Sequence, residues 1–183
     1  RRAFGQGLGY ATANRGGCHL NGGYLVFLEG LGLSMKQRST TSKPELAVMF
    51  QWLMEAISSA GCCLFTSFTA FPPVLLEKPF LKKITSTILS LSGPILGPVL
   101  KNPQLLNVNL DLIPYSRAIT LATGMPMSLG KLLSIGRDAY ELERRLNIRL
   151  GLDSAEDQLP ETFKEEVPIE KMVEKYHRVA GWS

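Results

Sequence analysis

Cysteine is too scarce in this sequence to hold a fold together: there are three among 183 residues, an odd number, with Cys62 and Cys63 adjacent and no CxxC anywhere. That excludes a disulfide framework, suits a reducing compartment such as the cytoplasm, and leaves buried thiols or metal ligands as their uses. An excess of charge is lacking too. Twenty Lys and Arg against sixteen Asp and Glu give a net charge of +4, too even a balance to argue for a nucleic-acid partner. The charge is uneven along the chain, +6 over residues 1–110 and −2 over 111–183, so the glycine-rich first half is compatible with an anionic ligand such as a phosphate-bearing cofactor. An uninterrupted membrane span is missing as well. The run ITSTILSLSGPILGPVL (84–100) has no charge, but it sits at the short limit of a span, is rich in Ser and Thr, and is broken by Gly93-Pro94 and Gly97-Pro98. A buried helix and turn is the expectation there, and an apolar contact surface the next. P-loop, Ser-His-Asp pattern, internal repeat and low-complexity tract are all absent, and GQGLGYAT resembles a dinucleotide fingerprint only superficially.

What is present is enough apolar material, 45% of residues against 20% charged, for one compact domain over residues 1–183. The chain begins Arg1-Arg2 without Met and without the apolar core of a signal peptide, which reads as the C-terminal portion of a longer protein. Glycine recurs from Gly5 to Gly23 and predicts tight turns and close backbone approach in place of regular structure. Residues Gly22 to Leu33 fit a short strand or a buried helix start equally well. A helix is expected from a Ser42 cap and Pro44 through Leu46, Met49, Phe50, Leu53 and Ile57 to a stop at Gly61. Further helices are expected at Tyr115–Thr123, at Leu129–Arg149 and near Pro168–Val179. The long one would bury Leu132, Leu133, Ile135, Ala139, Leu142, Leu146 and Ile148 and end at Gly151. Nothing alternates at period two, so the class is all-α, multihelical.

Reactive side chains fall in three places. His177, in the charged sequence EKYHRV, reads as a solvated helix histidine. Cys18-His19 is flanked by glycines that let the backbone approach a bulky ligand beside an imidazole able to exchange protons. On local sequence alone, a buried thiol next to a hydrogen-bonded core histidine is favoured there. Cys62-Cys63 could supply one soft-metal ligand, since adjacent cysteines are not spaced to give two ligands to one cluster.

Five separated segments, GYATANRGGCHLNGG (9–23), SSAGCCLFTSF (58–68), YELERRLNIRLGL (140–152), DQLPETF (157–163) and YHRVAGWS (176–183), together resemble the tungsten-containing aldehyde ferredoxin oxidoreductase family, in family order. The match is weakest over Pro72–Asn109. The resemblance implies the helical C-terminal domain of a larger enzyme, with the N-terminal pterin-binding domain and an upstream CxxCxxxC segment lying outside this chain. Such enzymes hold tungsten, or in some cases molybdenum, between two pterin dithiolenes beside a 4Fe-4S cluster. They oxidise an aldehyde to a carboxylate and pass the electrons to ferredoxin. The family's DxxGLC motif reads Ser58-Ser59-Ala60-Gly61-Cys62-Cys63 here. Cys63 is thereby implied as the fourth cluster ligand, with Gly61 and Cys62 lining a pterin through their backbone. Ser58 replaces an Asp that bonds pterin nitrogens, and a shorter, neutral hydroxyl cannot accept two donors on two charged oxygens as a carboxylate does.

His19 matches the family's histidine beside the metal, implied as a proton donor or acceptor and not as a metal ligand. Asn14 and Arg15 are implied as pterin contacts or as residues that fix the loop. The implied partners are ferredoxin, a small aldehyde and the remaining portion of the same enzyme, with a homo-oligomer compatible and no nucleic acid or membrane span. Two alternatives stand beside this. One is a noncatalytic helical scaffold that binds no cofactor in isolation; the other is a family member that reduces carboxylates or aromatic thioesters.

Overall fold

The computed structural model describes residues 3–70, 72–107, 114–164 and 167–182, so Arg1, Arg2 and Ser183 lie outside the described residues. All regular structure among them is helical. In chain order the α-helices are α1 (Phe4–Thr12), α2 (Lys43–Ser59), α3 (Pro73–Glu77), α4 (Pro79–Leu91), α5 (Gly93–Lys101), α6 (Pro114–Thr123), α7 (Leu129–Arg149), α8 (Glu161–Lys164) and α9 (Ile169–Ala180).

The centre of the fold is α2. Pro44 presets its first turn, and Leu46, Ala47, Val48, Trp52 and Ile57 are buried along it. Burying each large side chain of this kind contributes about 1.5–3 kcal/mol. Helices α1, α5, α7 and α9 pack around it. The closest crossing is with α7, where a Cβ on Gly136 would overlap the Trp52 carbonyl. Glycine there lets the two backbones touch.

Three of the sequence motifs meet behind α7 as a structural clasp. Arg144 donates two hydrogen bonds, 2.8 and 2.7 Å, to the two carboxylate oxygens of Asp157, and His177 Nε2 lies 2.6 Å from Asp157 Oδ2. The Trp182 ring stacks on Tyr140 at 6.0 Å, with the Arg144 guanidinium over it at 4.9 Å. His177 is therefore half-buried and hydrogen-bonded, and the expectation of a solvated histidine is corrected: its partner comes from a loop twenty residues away.

Five other expectations change. Gly5, Gly7 and Gly9 sit inside a regular helix, α1, not in a chain of turns. The Glu29 carboxylate explains it, accepting from the amides of Gly5 at 2.8 Å and Gln6 at 2.9 Å and so capping the helix start. Residues 27–31 form a single π-helical turn, which removes the strand reading. Ser42 occupies the N-cap position of α2 without capping it; its hydroxyl instead donates to the Ser90 carbonyl at 2.7 Å and accepts from the Gly93 amide at 2.9 Å. Lastly, α4 and α5 bury the apolar run 84–100 only in part, with Leu100 in the core and Ile84, Ile88, Leu91 and Ile95 exposed, and α7 leaves Ile135, Leu142, Leu146 and Ile148 exposed. Its inward side is Gly130, Leu132, Leu133, Gly136, Tyr140 and Arg144.

Candidate functional site

After α1 the chain makes a glycine-rich loop against α2, with Gly23 beside Ala47, Phe50 and Gln51. Close approach begins it: a Cβ on Gly9 would overlap the Gly22 carbonyl, so the two arms of the loop lie backbone against backbone. Asn14 then ties the loop to α7. Its Nδ2 donates to the Tyr140 carbonyl at 2.8 Å, and its own carbonyl accepts from Asn147 Nδ2 at 2.8 Å. The Tyr140 hydroxyl adds a bond to the Thr12 carbonyl at 2.9 Å. Anchored this way, the loop presents Arg15 and His19 to solvent, with Cys18 half-buried. Cys18 Sγ accepts from the Asn21 amide at 3.4 Å, and the His19 ring lies 5.9 Å from that of Tyr24. The core-histidine reading from local sequence does not hold, because this imidazole is exposed.

The second element is the turn that ends α2. Ser58 is half-buried, and Gly61, Cys62 and Cys63 are exposed. Gly61 takes φ of +72°, the left-handed conformation that stops a helix and that residues with a Cβ adopt at a cost. A Cβ there would meet nothing within 4 Å, so the turn opens outward. Both thiols of the vicinal pair are free. The buried-thiol alternative is thereby removed for these two.

What connects the two elements is a residue the sequence reading does not single out. Glu55, 7% exposed, lies on α2 one helical turn before Ser58-Ser59 and accepts from Asn21 Nδ2 at 3.2 Å. Burial pushes its carboxyl above the ordinary value, the neighbouring Glu143 carboxylate adds to that, and Arg15 and the Asn21 bond work against it. The 14–21 loop and the Ser58–Cys63 turn are thus pinned to the same stretch of α2. A signal existed in the sequence, since Glu55 is the single acid inside the apolar run AVMFQWLMEAI. Lone acids within core-facing helices are buried only when partnered.

A cavity of about 640 Å³ lies on the far side of the loop, lined in part by Gln6, Tyr10, Asn14, Gly16, Gly17 and Leu159. Among the described residues no group of three His, Cys, Asp or Glu is placed to hold a metal ion by itself. The donor set nevertheless suits one corner of a cluster and pterin site: an exposed thiol on an outward-opening turn, open space at Gly16 and Gly61, and a buried Asn21 Oδ1 without a hydrogen-bond partner. Soft thiolate suits an iron-sulfur cluster, and free backbone donors suit a large polar heterocycle.

The fold and site define an all-helical domain that gathers an imidazole-bearing loop and a vicinal thiol turn on the last turns of one central helix. The chain belongs to the aldehyde ferredoxin oxidoreductase family: the family model described as aldehyde ferredoxin oxidoreductase, domains 2 & 3, matches residues 1–183. The tungsten-containing aldehyde ferredoxin oxidoreductases of Thermococcus kodakarensis and Pyrococcus furiosus are each 29% identical to it over 198 residues, as is that of Pyrococcus abyssi. These alignments cover 100% of this chain and 26% of each relative. No solved structure matches it.

Proposed function

We propose that this chain is the C-terminal part of a tungsten, or molybdenum, bis-pterin oxidoreductase of the cytoplasm that oxidises aldehydes to carboxylates and passes the electrons through a 4Fe-4S cluster to ferredoxin. The observation that carries the reading is the Asn21–Glu55 hydrogen bond. It holds the histidine loop to the last turns of the helix from which the cysteine turn continues, as a shared cofactor site requires.

In this reading Cys63 supplies one cluster thiolate, and the other three come from the remainder of the enzyme. Gly61 and Cys62 offer backbone donors to a pterin, and Arg15 offers it a cation from the same loop. The Asn14 amide nitrogen is occupied by the Tyr140 carbonyl, so its share is to hold the loop. The half-buried Ser58 offers one neutral hydroxyl oxygen where a carboxylate would accept through two charged ones, which weakens the grip on the pterin at that point. The cofactor, when bound, supplies the two-electron chemistry of aldehyde oxidation. His19 accepts or returns a proton at the substrate oxygen through its imidazole, and the loop anchored by Asn14 and Asn21 keeps that ring oriented. The remaining portion of the same enzyme closes the open side and excludes water.

The test uses the complete enzyme, expressed anaerobically with tungstate. Cys63→Ala is expected to lose cluster iron. His19→Ala is expected to keep iron and tungsten while losing about 10²–10⁴-fold in aldehyde turnover. Full iron in Cys63→Ala overturns the ligand assignment, and normal turnover in His19→Ala overturns the proton role. A fully loaded enzyme that leaves aldehydes untouched and reduces a carboxylate or an aromatic thioester moves the substrate class.

A further inference from the structure

Beyond the ligand itself, the cysteine turn is held by a hydrogen-bond relay that reaches it from a helix about fifty residues further along the chain. The Cys63 carbonyl accepts twice from one residue: from the Thr66 amide at 3.0 Å and from the Thr66 hydroxyl at 2.6 Å. A carbonyl oxygen has two lone pairs, so both are used. The Thr66 oxygen also lies 2.5 Å from the hydroxyl of Tyr115, on α6. Threonine has one hydroxyl hydrogen, and it goes to the carbonyl, so the tyrosine must donate in the second bond. The relay therefore has a direction: Tyr115 O–H to Thr66 Oγ1, then Thr66 O–H to the carbonyl of Cys63. Bonds in such a chain polarise and strengthen one another.

We propose that Tyr115 is a positioning residue for Cys63, acting through Thr66 to fix the Cys63–Leu64 peptide plane and with it the direction of the Cys63 side chain. The proposal rests on the reading of Cys63 as the cluster ligand. The surroundings say why such a device is needed. Cys62, Cys63 and Thr66 are exposed, whereas Tyr115 is 7% exposed and belongs to the core. On the other side the turn is tied to α2 by the Cys62 amide and the Ile57 carbonyl, 3.1 Å apart. The tyrosine is thus the buried post to which the exposed turn is moored. Burial pushes its phenol above the ordinary value, and although the Thr66 bond lowers it, the Cys62 and Cys63 sulfurs raise it further. That keeps the donor hydrogen in place.

In the complete, cluster-loaded enzyme, Tyr115→Phe and Thr66→Ala are expected to keep their iron content and melting temperature. Both should change the line shape of the reduced cluster in electron paramagnetic resonance and lose iron to a chelator about five-fold faster, the weight of one neutral hydrogen bond. Thr66→Ser, which retains the hydroxyl, is expected to match the parent in both readouts. The proposal is overturned if Tyr115→Phe superimposes on the parent in line shape and iron release, or if Thr66→Ser fails as Thr66→Ala does. A Tyr115→Phe enzyme that loses iron only together with a lowered melting temperature also overturns it, by making the ring a packing residue. Cys63→Ala separates the two levels. If it keeps full iron, the ligand reading falls and this proposal with it; if it loses iron while Tyr115→Phe is unchanged, only the relay falls.

Discussion

Helices α2 and α4 both carry a proline in their first turn and both carry a helical apolar pattern, yet they face opposite ways. In α2 the apolar residues Leu46, Trp52 and Ile57 are at most 2% exposed. In α4 the stripe Phe80, Ile84, Ile88 and Leu91, spaced by four, four and three residues, is 72%, 39%, 62% and 67% exposed. The buried residue of α4 is a serine, Ser86. Hydrophobic spacing thus specifies which side chains share a face, and not whether that face has a neighbour. The helix that carries the candidate site is the one that found neighbours on all sides. In a chain that spans 26% of the length of its matched relatives, the other helix shows an apolar face to solvent, which monomeric surfaces of this extent rarely do.

The largest effect is expected beside α2, at Glu29. Its carboxylate caps α1 and pairs with the buried Lys43 amine, 2.5 Å away. Burial holds the Lys43 amine below its ordinary value even though Glu29 raises it. Glu29→Ala leaves that cation alone and uncaps α1, and is expected to cost about 3–5 kcal/mol in urea unfolding. A loss under 1 kcal/mol would detach α1 from the stability of the α2 region.

Next comes the direct pair. Leu46→Ala is expected to cost about 2–5 kcal/mol, whereas Ile88→Ser should stay within about 0.5 kcal/mol. Equal costs in the two, measured on the same chain by the same denaturant titration, would break the contrast between the helices.

A subtler expectation concerns the site end of α2. The Glu55 carboxyl is raised above 4.5 by burial and then by Glu143, with Arg15 and Asn21 opposing. A carboxyl raised on folding favours the folded state below its unfolded value and withdraws that favour as pH climbs through its folded value. Unfolding titrations of Glu55→Gln and the parent should therefore diverge as pH rises above about 4.5, with the variant keeping stability that the parent loses. Parallel curves would mean that Glu55 ionises in the fold as freely as in the unfolded chain.

Helix boundaries were legible where caps and stops are local. Pro44 and Gly61 bracket α2, and Leu129–Arg149 has the bounds its periodicity predicts. The Gly5–Gly9 helix was not legible, because its capping group is Glu29, twenty-four residues ahead. His177 was misread for the same kind of reason, since Asp157 comes to it from a separate loop. At the site, the thiols, the imidazole and the glycines announce themselves by residue type and motif. Glu55 and Tyr115 do not, because a buried acid and a buried phenol look like any others until their partners are in place.

The sequence alone therefore determined the helical class, the family to which the chain belongs and the reactive groups at its disposal, since these depend on spacing and residue chemistry. Only the tertiary structure decided which apolar faces are covered, which charges are paired, and that the loop of His19 and the turn of Cys63 are moored to one helix. Those depend on contacts between residues tens of positions apart, whose energies no local pattern records.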